Sequence, residues 1–260
     1  MTLSLLFASL SSTTSIVRET HNLHFILASN LHASIRYRRH RPQSAGLNPW
    51  QLWVEEEEFR RHRPFVTFPN SCRTYYTASC FIIQLHMLKN IPISADFLDS
   101  HLNLPCSEEE WAAEAAETWS LIRNRELPLT PPFQEAFHNL FVKDGDGRVR
   151  YSEFGGYVTI WGICLAITLA YRSQKVPGVL VDFTTFDIAL DNWQRSWNAD
   201  PHSLSSGPGS TFGAMPFNAS AVYRLSTIRR AKDYSRFDSL GFVLRKASLR
   251  AYSLSTKELH

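Results

Sequence analysis

From Tyr157 to Tyr171 the sequence reads Tyr-Val-Thr-Ile-Trp-Gly-Ile-Cys-Leu-Ala-Ile-Thr-Leu-Ala-Tyr, without one charged side chain. Wound as a helix over 154–174, this segment is apolar around almost its whole circumference, and so has no face to give to water. Such a helix belongs at the centre of a bundle. The run falls short of the roughly 20 residues that cross a bilayer, and it contains Thr159 and Thr168. A buried core helix is therefore expected, and no membrane span. The rest of the chain can supply the covering: 44% of residues are hydrophobic and 20% charged, close to the balance of an ordinary globular domain. The 17 Phe and seven Trp imply a core built from large rings.

Helical spacing dominates elsewhere. Segments 21–37 and 50–61 read as helices separated by the loop from Pro42 to Pro49. Segment 74–88 is rich in β-branched and aromatic residues, but its length favours a buried helix over a strand. Ser107 stands at an N-cap position with Glu110 three residues later, a capping box. Glu108, Glu109 and Glu110 put negative charge where the helix dipole favours it. One helix is expected from there to Arg123, with Trp111, Ala115 and Trp119 on a single face. Pro-rich 127–132 is a linker, and 133–142 a short helix. Thr184 is the expected N-cap of a helix over 185–198, in which Phe186, Ala189, Leu190, Trp193 and Trp197 form the inner stripe. Segment 201–213, rich in Ser, Gly and Pro, reads as a loop. Asn218 is the expected cap of a last helix to Lys232, with Ala221, Val222, Leu225 and Ile228 inward. The fold class that follows is all-α, an irregular multi-helix domain with long loops.

A net charge of +3 is too small to make the whole chain a nucleic-acid binder. Basic residues cluster at Arg36–Arg41, at Arg60–Arg63 and from Arg224 onward. These suit either a solvated face or a phosphate-contacting or import patch. Arg60 and Arg61 follow Glu56 and Glu57 by four residues, so surface ion pairs are expected there. The four cysteines, Cys72, Cys80, Cys106 and Cys164, show no zinc-ligand spacing. They read as free thiols, with Cys164 inside the core. The N-terminus lacks the charged start and long apolar run of a secretion signal.

Five segments, in order, carry a family resemblance. Leu104-Pro105-Cys106-Ser-Glu108-Glu-Glu-Trp111 with Trp119 resembles the "LPC-x-E-x-x-W … W" signature of the regulatory (middle homology) domain of fungal-specific transcription factors. Trp50-Gln-Leu-Trp53-Val-Glu-Glu-Glu-Glu-Phe-Arg60-Arg61 is similar to that family's "W-x-x-W-V-x-x-E-x-x-R-R" helix. Ser152-Glu-Phe154-Gly155 resembles the lead into its long apolar helix. Trp193 and Trp197 match its "W-x-x-x-W" segment, and Phe217-Asn218-Ala-Ser-Ala-Val-Tyr-Arg224-Leu its "F-N-A-x-A-L-x-R-L" helix. The family runs from "R-R" straight into a threonine-led helix. Here residues 62–73 intervene, either a loop insertion or an error in the deduced coding sequence.

The resemblance implies a regulatory domain over 45–238, preceded by a helical segment at 1–44 and followed by a tail at 239–260. It implies a nuclear protein controlling transcription by RNA polymerase II, with co-regulators or a second copy as partners. DNA contact in that family belongs to a zinc module whose cysteine pattern this sequence lacks. A truncated, non-functional fragment is the alternative on that side.

Chemistry-bearing motifs are sparse. Asp144-Gly-Asp146-Gly147, with Val149 and Glu153, tempts toward an EF-hand, but the first ligand position is Val142, leaving the shell one carboxylate short. A calcium-binding or small-molecule-binding module centred on 142–153 is thus the rival reading. No nucleophile elbow, phosphate loop or dinucleotide fingerprint is present in the sequence. Neither an enzyme nor a resident cofactor is expected.

Overall fold

A computed structural model describes residues 29, 46, 48–60, 75–89, 93, 97–98, 101–125, 130–143, 150–199 and 215–231. Among the described residues are eight helices and no strands, an all-α fold. In chain order they are α1 (Pro49–Arg60), α2 (Tyr75–Lys89), α3 (Glu108–Trp111), α4 (Ala116–Arg125), α5 (Phe133–Leu140), α6 (Glu153–Ser173), α7 (Thr184–Asn198) and α8 (Met215–Ala231). The chain divides into two compact units, one of 1–42, 68–94 and 234–260, the other of 43–67 and 95–233.

In the first unit the described helix is α2. As its length suggested, it is a buried helix: Tyr76, Ile83 and Leu85 are wholly enclosed, and the Tyr75 and Tyr76 rings meet edge-on at 5.0 Å. Of the expected helix over 21–37 only Ser29 is described, and it is helical; the segment 62–73 lies outside the described residues.

The second unit is organised around α6. Its hydroxyl-bearing N-cap, Ser152, accepts the Gly155 amide at 3.0 Å, and Val158, Ile160, Ile163, Cys164, Leu165 and Ile167 have no exposure at all. The helix is 21 residues long, one residue offset from the expected 154–174, and by length and composition it could cross a membrane. However, 67% of its most apolar window is buried inside the protein. Core helices pass that test too.

Three helices cover α6. The most extensive partner is α8, followed by α7 and α5. Helix α5 buries Phe133, Ala136, Phe137 and Leu140, an i, i+3, i+4, i+7 stripe. The stacked Phe133 and Phe137 rings approach because Gly162 presents only backbone; a Cβ there would lie 3.0 Å from Phe133 and 3.1 Å from Phe137. Helix α7 buries the expected stripe of Phe186, Ala189, Leu190, Trp193 and Trp197. It also buries Asn192, whose amide donates to the Leu140 and Val142 carbonyls at 2.7 and 3.2 Å. The end of α5 is thereby capped from another helix.

Four local expectations are corrected. The segment expected as one helix from Ser107 to Arg123 is two, α3 and α4, broken across 112–115. Thr184 does not cap α7: it is the first helical residue, and Asp182 accepts from its amide and hydroxyl at 2.9 and 2.7 Å. Asn218 does not cap α8, which starts earlier at Met215 and leaves Asn218 exposed within it. The inner stripe of α8 is Ala219, Val222, Ser226 and Arg229, whereas Ala221 and Ile228 are exposed. Segment 201–213 lies outside the described residues.

The Asx turn before α7 generates a pH test. The Thr184 hydroxyl, and after it the Thr184 amide, hold the Asp182 carboxyl below the usual carboxylate range, with a smaller push from the Arg230 charge. A depressed folded value means the stabilisation is complete above the unfolded value of about 3.9. It fades as pH falls through the folded value. The stability gap between the parent and Asp182→Ala should therefore be constant from neutral pH to about pH 5 and close as the solution is acidified further. Denaturant titrations across that range check it; a gap that does not narrow in acid would mean that the Asx turn contributes nothing.

Candidate functional site

The five segments singled out in the sequence meet at the start of α6. Ser152 is the hinge of that meeting. Its hydroxyl accepts the Gly155 amide and donates to the Pro105 carbonyl at 2.6 Å. One residue on, the Cys106 amide donates to Glu57 Oε1 of α1 at 2.8 Å. On the other flank, Tyr151 donates its phenol hydrogen to the Trp193 carbonyl at 3.2 Å, and the Trp193 indole donates to the Gly156 carbonyl at 3.0 Å. The Trp193 ring stacks between Trp197, at 5.1 Å, and Tyr223 of α8, at 5.4 Å. A continuous line of contacts therefore runs from α1 through 104–106 and the start of α6 to α7 and α8.

Local sequence makes each contact possible. Leu104 and Phe133 exchange backbone bonds with Pro131 and Leu102, both at 2.8 Å, which pins the 102–104 strip against the linker. That strip holds the Pro105 carbonyl over Ser152. Gly155 and Gly156 leave room: a Cβ on Gly155 would sit 3.1 Å from the Ser152 hydroxyl, and one on Gly156 would collide with the Trp197 ring. Backbone freedom is not the reason for either glycine; clearance is.

A second cluster stands beside the first. The Trp53 ring lies 6.4 Å from Trp111 and 5.4 Å from Trp119. Trp119 donates its indole hydrogen to Glu110 at 3.2 Å, and the Arg123 guanidinium lies 5.1 Å over the Trp119 ring. The Glu110 amide is capped by Ser107 at 3.1 Å, as the capping box requires. A continuous helix would hold the two indoles about 12 Å apart along its axis. The break between α3 and α4 folds both onto Trp53.

Of the residues singled out in the sequence, Trp53, Leu104, Pro105, Cys106, Ser152, Phe154, Gly155, Trp193 and Trp197 are buried in these two clusters. Trp50, Glu108, Trp111 and Trp119 are half-buried, and Asn218 and Arg224 are exposed. Arg60 ends α1 and Phe217 lies in α8, with side chains outside the description; Arg61 lies outside it altogether. Asp144 and Asp146 of the candidate calcium loop are also outside, and Glu153 is buried at the first position of α6. No group of three or more metal-capable side chains occurs among the described residues.

Glu57 is the residue that sequence reasoning misplaced. A surface ion pair was expected; the side chain is fully buried and receives the Cys106 amide. The signal was present, because Trp50, Trp53 and Glu57 follow i, i+3, i+7 spacing and share one helix face.

Chemically, the junction is a run of directional hydrogen bonds between chain segments. Burial pushes the Tyr151 phenol well above its ordinary range, and burial also raises the Cys80 and Cys164 thiols. All three therefore carry their protons at neutral pH, and the thiols lack the depressed pKa of reactive ones. What the arrangement can do is hold five chain segments in fixed register. Comparison with protein-family models, curated proteins and solved structures finds no match.

Two substitutions test the junction. Ser152→Ala removes a cap and a donor together and should cost about 1–3 kcal/mol in denaturant unfolding. Glu57→Leu leaves the buried Cys106 amide without its acceptor, so it should cost about 1–3 kcal/mol more than Glu57→Gln, which keeps one. Equal stability of the two Glu57 variants would mean that the amide bond contributes nothing.

Proposed function

We propose that this protein is the regulatory domain of a fungal-specific transcription factor, acting in the nucleus on transcription by RNA polymerase II. The observation that carries the reading is the meeting at the start of α6. The five resembling segments are far apart in sequence, yet Glu57, Pro105–Cys106, Ser152–Gly156, Trp193–Trp197 and Tyr223 touch in one line.

In this reading the junction is a scaffold for regulation and does no chemistry itself. The domain presents surfaces to co-regulators or to a second copy of itself. DNA contact falls to a zinc module, for which this sequence has no cysteine pattern. No cofactor is assigned to it.

The test is a fusion of residues 1–260 to a heterologous DNA-binding domain, read on a reporter in a fungal nucleus. A several-fold change in output, up or down, is expected. Trp193→Ala, which empties the centre of the stacked Trp197–Trp193–Tyr223 sandwich at a cost of about 3–5 kcal/mol, should abolish that change. A folded, nuclear fusion that leaves the reporter untouched overturns the proposal.

A further inference from the structure

The segment from Ser107 to Arg125 is broken where its sequence gives no reason to break. Helix α3 ends through Ala112, whose amide donates to the Glu108 carbonyl at 2.9 Å, and the Ala113 amide turns back to the Glu110 carbonyl at 3.4 Å. The helical ladder resumes with the Trp119 amide on the Ala115 carbonyl at 3.0 Å. Ala115 therefore occupies the N-cap of α4, and alanine is among the poorest residues there. Ala112, the C-cap of α3, keeps right-handed helical angles, φ −75° and ψ −7°. No glycine follows it to stop the helix. Ala-Ala-Glu-Ala itself favours helix. None of these four residues is buried: Ala112 and Glu114 are exposed, Ala113 and Ala115 half-buried. The core does not require the break.

What holds it lies on either side. Glu110 Oε1 accepts the Trp119 indole hydrogen at 3.2 Å and lies 3.7 Å from the Arg123 guanidinium. Along one continuous helix residues 110 and 119 would stand about 13.5 Å apart, and 110 and 123 about 20 Å. Both contacts therefore exist only while the segment is bent. The Glu110 side chain is only 11% exposed, so its charge is screened less than that of a surface pair. Trp53 of α1 covers the bend, its ring 5.4 Å from Trp119 and 6.4 Å from Trp111.

The straight form has support of its own. Ser107 already accepts the Glu110 amide at 3.1 Å. Released from Trp119, the Glu110 carboxylate can reach back to the Ser107 amide, the reciprocal half of a capping box. A continuous helix also gives the amides of residues 113–118 carbonyls four residues back. Local chemistry thus favours one conformation, and a few tertiary contacts the other. A segment divided in this way has two discrete arrangements, the condition for a switch.

We infer that residues 107–125 form a latched switch: bent while Glu110, Trp119, Arg123 and Trp53 hold together, and straight as one helix when that latch opens. Straightening draws Trp119 away from Trp53 and uncovers an indole of α1 and one of α4 together. A molecule that binds either uncovered ring shifts the equilibrium toward the straight state. This goes beyond the regulatory reading and does not rest on it.

The experiment uses the full 260-residue protein carrying carbon-13 at the alanine Cα. Saturation-transfer NMR on the parent should reveal a minor state, at about 1–10%, with helical Cα shifts at Ala113 and Ala115. Glu110→Ala opens the latch and leaves the Ser107 bond to the backbone amide in place. It should raise the ratio of straight to bent at least about tenfold. Glu110→Gln, which keeps an acceptor for Trp119, should raise it less. Ala113→Gly and Ala115→Gly should each lower the ratio about fivefold. A Glu110 that is merely structural gives the opposite sign, because its removal then moves the Ala113 and Ala115 shifts toward coil. That result overturns the inference, as does a parent without the minor state whose Glu110→Ala variant leaves the shifts unmoved. A minor state that neither glycine variant depletes overturns it too. Where Glu110→Ala also moves the shifts of Ala166 and Ala170 in α6, the parent and the glycine variants decide, and absence of the minor state in the parent then overturns it.

Discussion

The second unit depends on a single hydroxyl. Ser152 must accept a hydrogen bond from Gly155 for α6 to begin where it does, and must donate one to Pro105 for the 104–106 strip to lie against that beginning. One side chain thus sets both the start of the central helix and the position of the segment that bonds to α1. An alanine could do neither. The cap is local chemistry with a tertiary consequence.

Buried polar groups elsewhere repeat this pattern of joining elements. Asn192 of α7 closes the end of α5 while Arg195 donates to its amide oxygen. Along the α6–α8 contact, Arg229 is 6% exposed and donates to Thr168 at 2.9 Å, and Ser226 is fully enclosed. A core so rich in aromatic rings could pack in several registers. Directional bonds of this kind select one, because a slipped register would leave buried donors unmet at a cost of about 1–3 kcal/mol each.

How much of this could be read in advance depended on whether burial followed apolar character. The central helix, the aromatic stripe of α7 and the enclosure of α2 were legible, because hydrophobic spacing marks them directly. The stripe of α8 was not: it runs Ala219, Val222, Ser226 and Arg229, and a reading that looks for apolar residues chooses Ala221 and Ile228 instead. Glu57 failed for the same reason, although its spacing from Trp50 and Trp53 placed it inward. The break at 112–115 left no mark at all, since Ala-Ala-Glu-Ala is as good a helix former as the chain contains.

The sequence by itself determined the helical class and the extent and centrality of α6, because these follow from side-chain spacing. Only the tertiary structure decided that Glu57 turns inward to Cys106, that α3 and α4 part so two indoles can reach Trp53, and that α8 lays a serine and an arginine against the core. Those outcomes depend on partners supplied by segments distant in the chain. Local propensities of a fraction of a kcal/mol per residue yield to contacts that are each worth more.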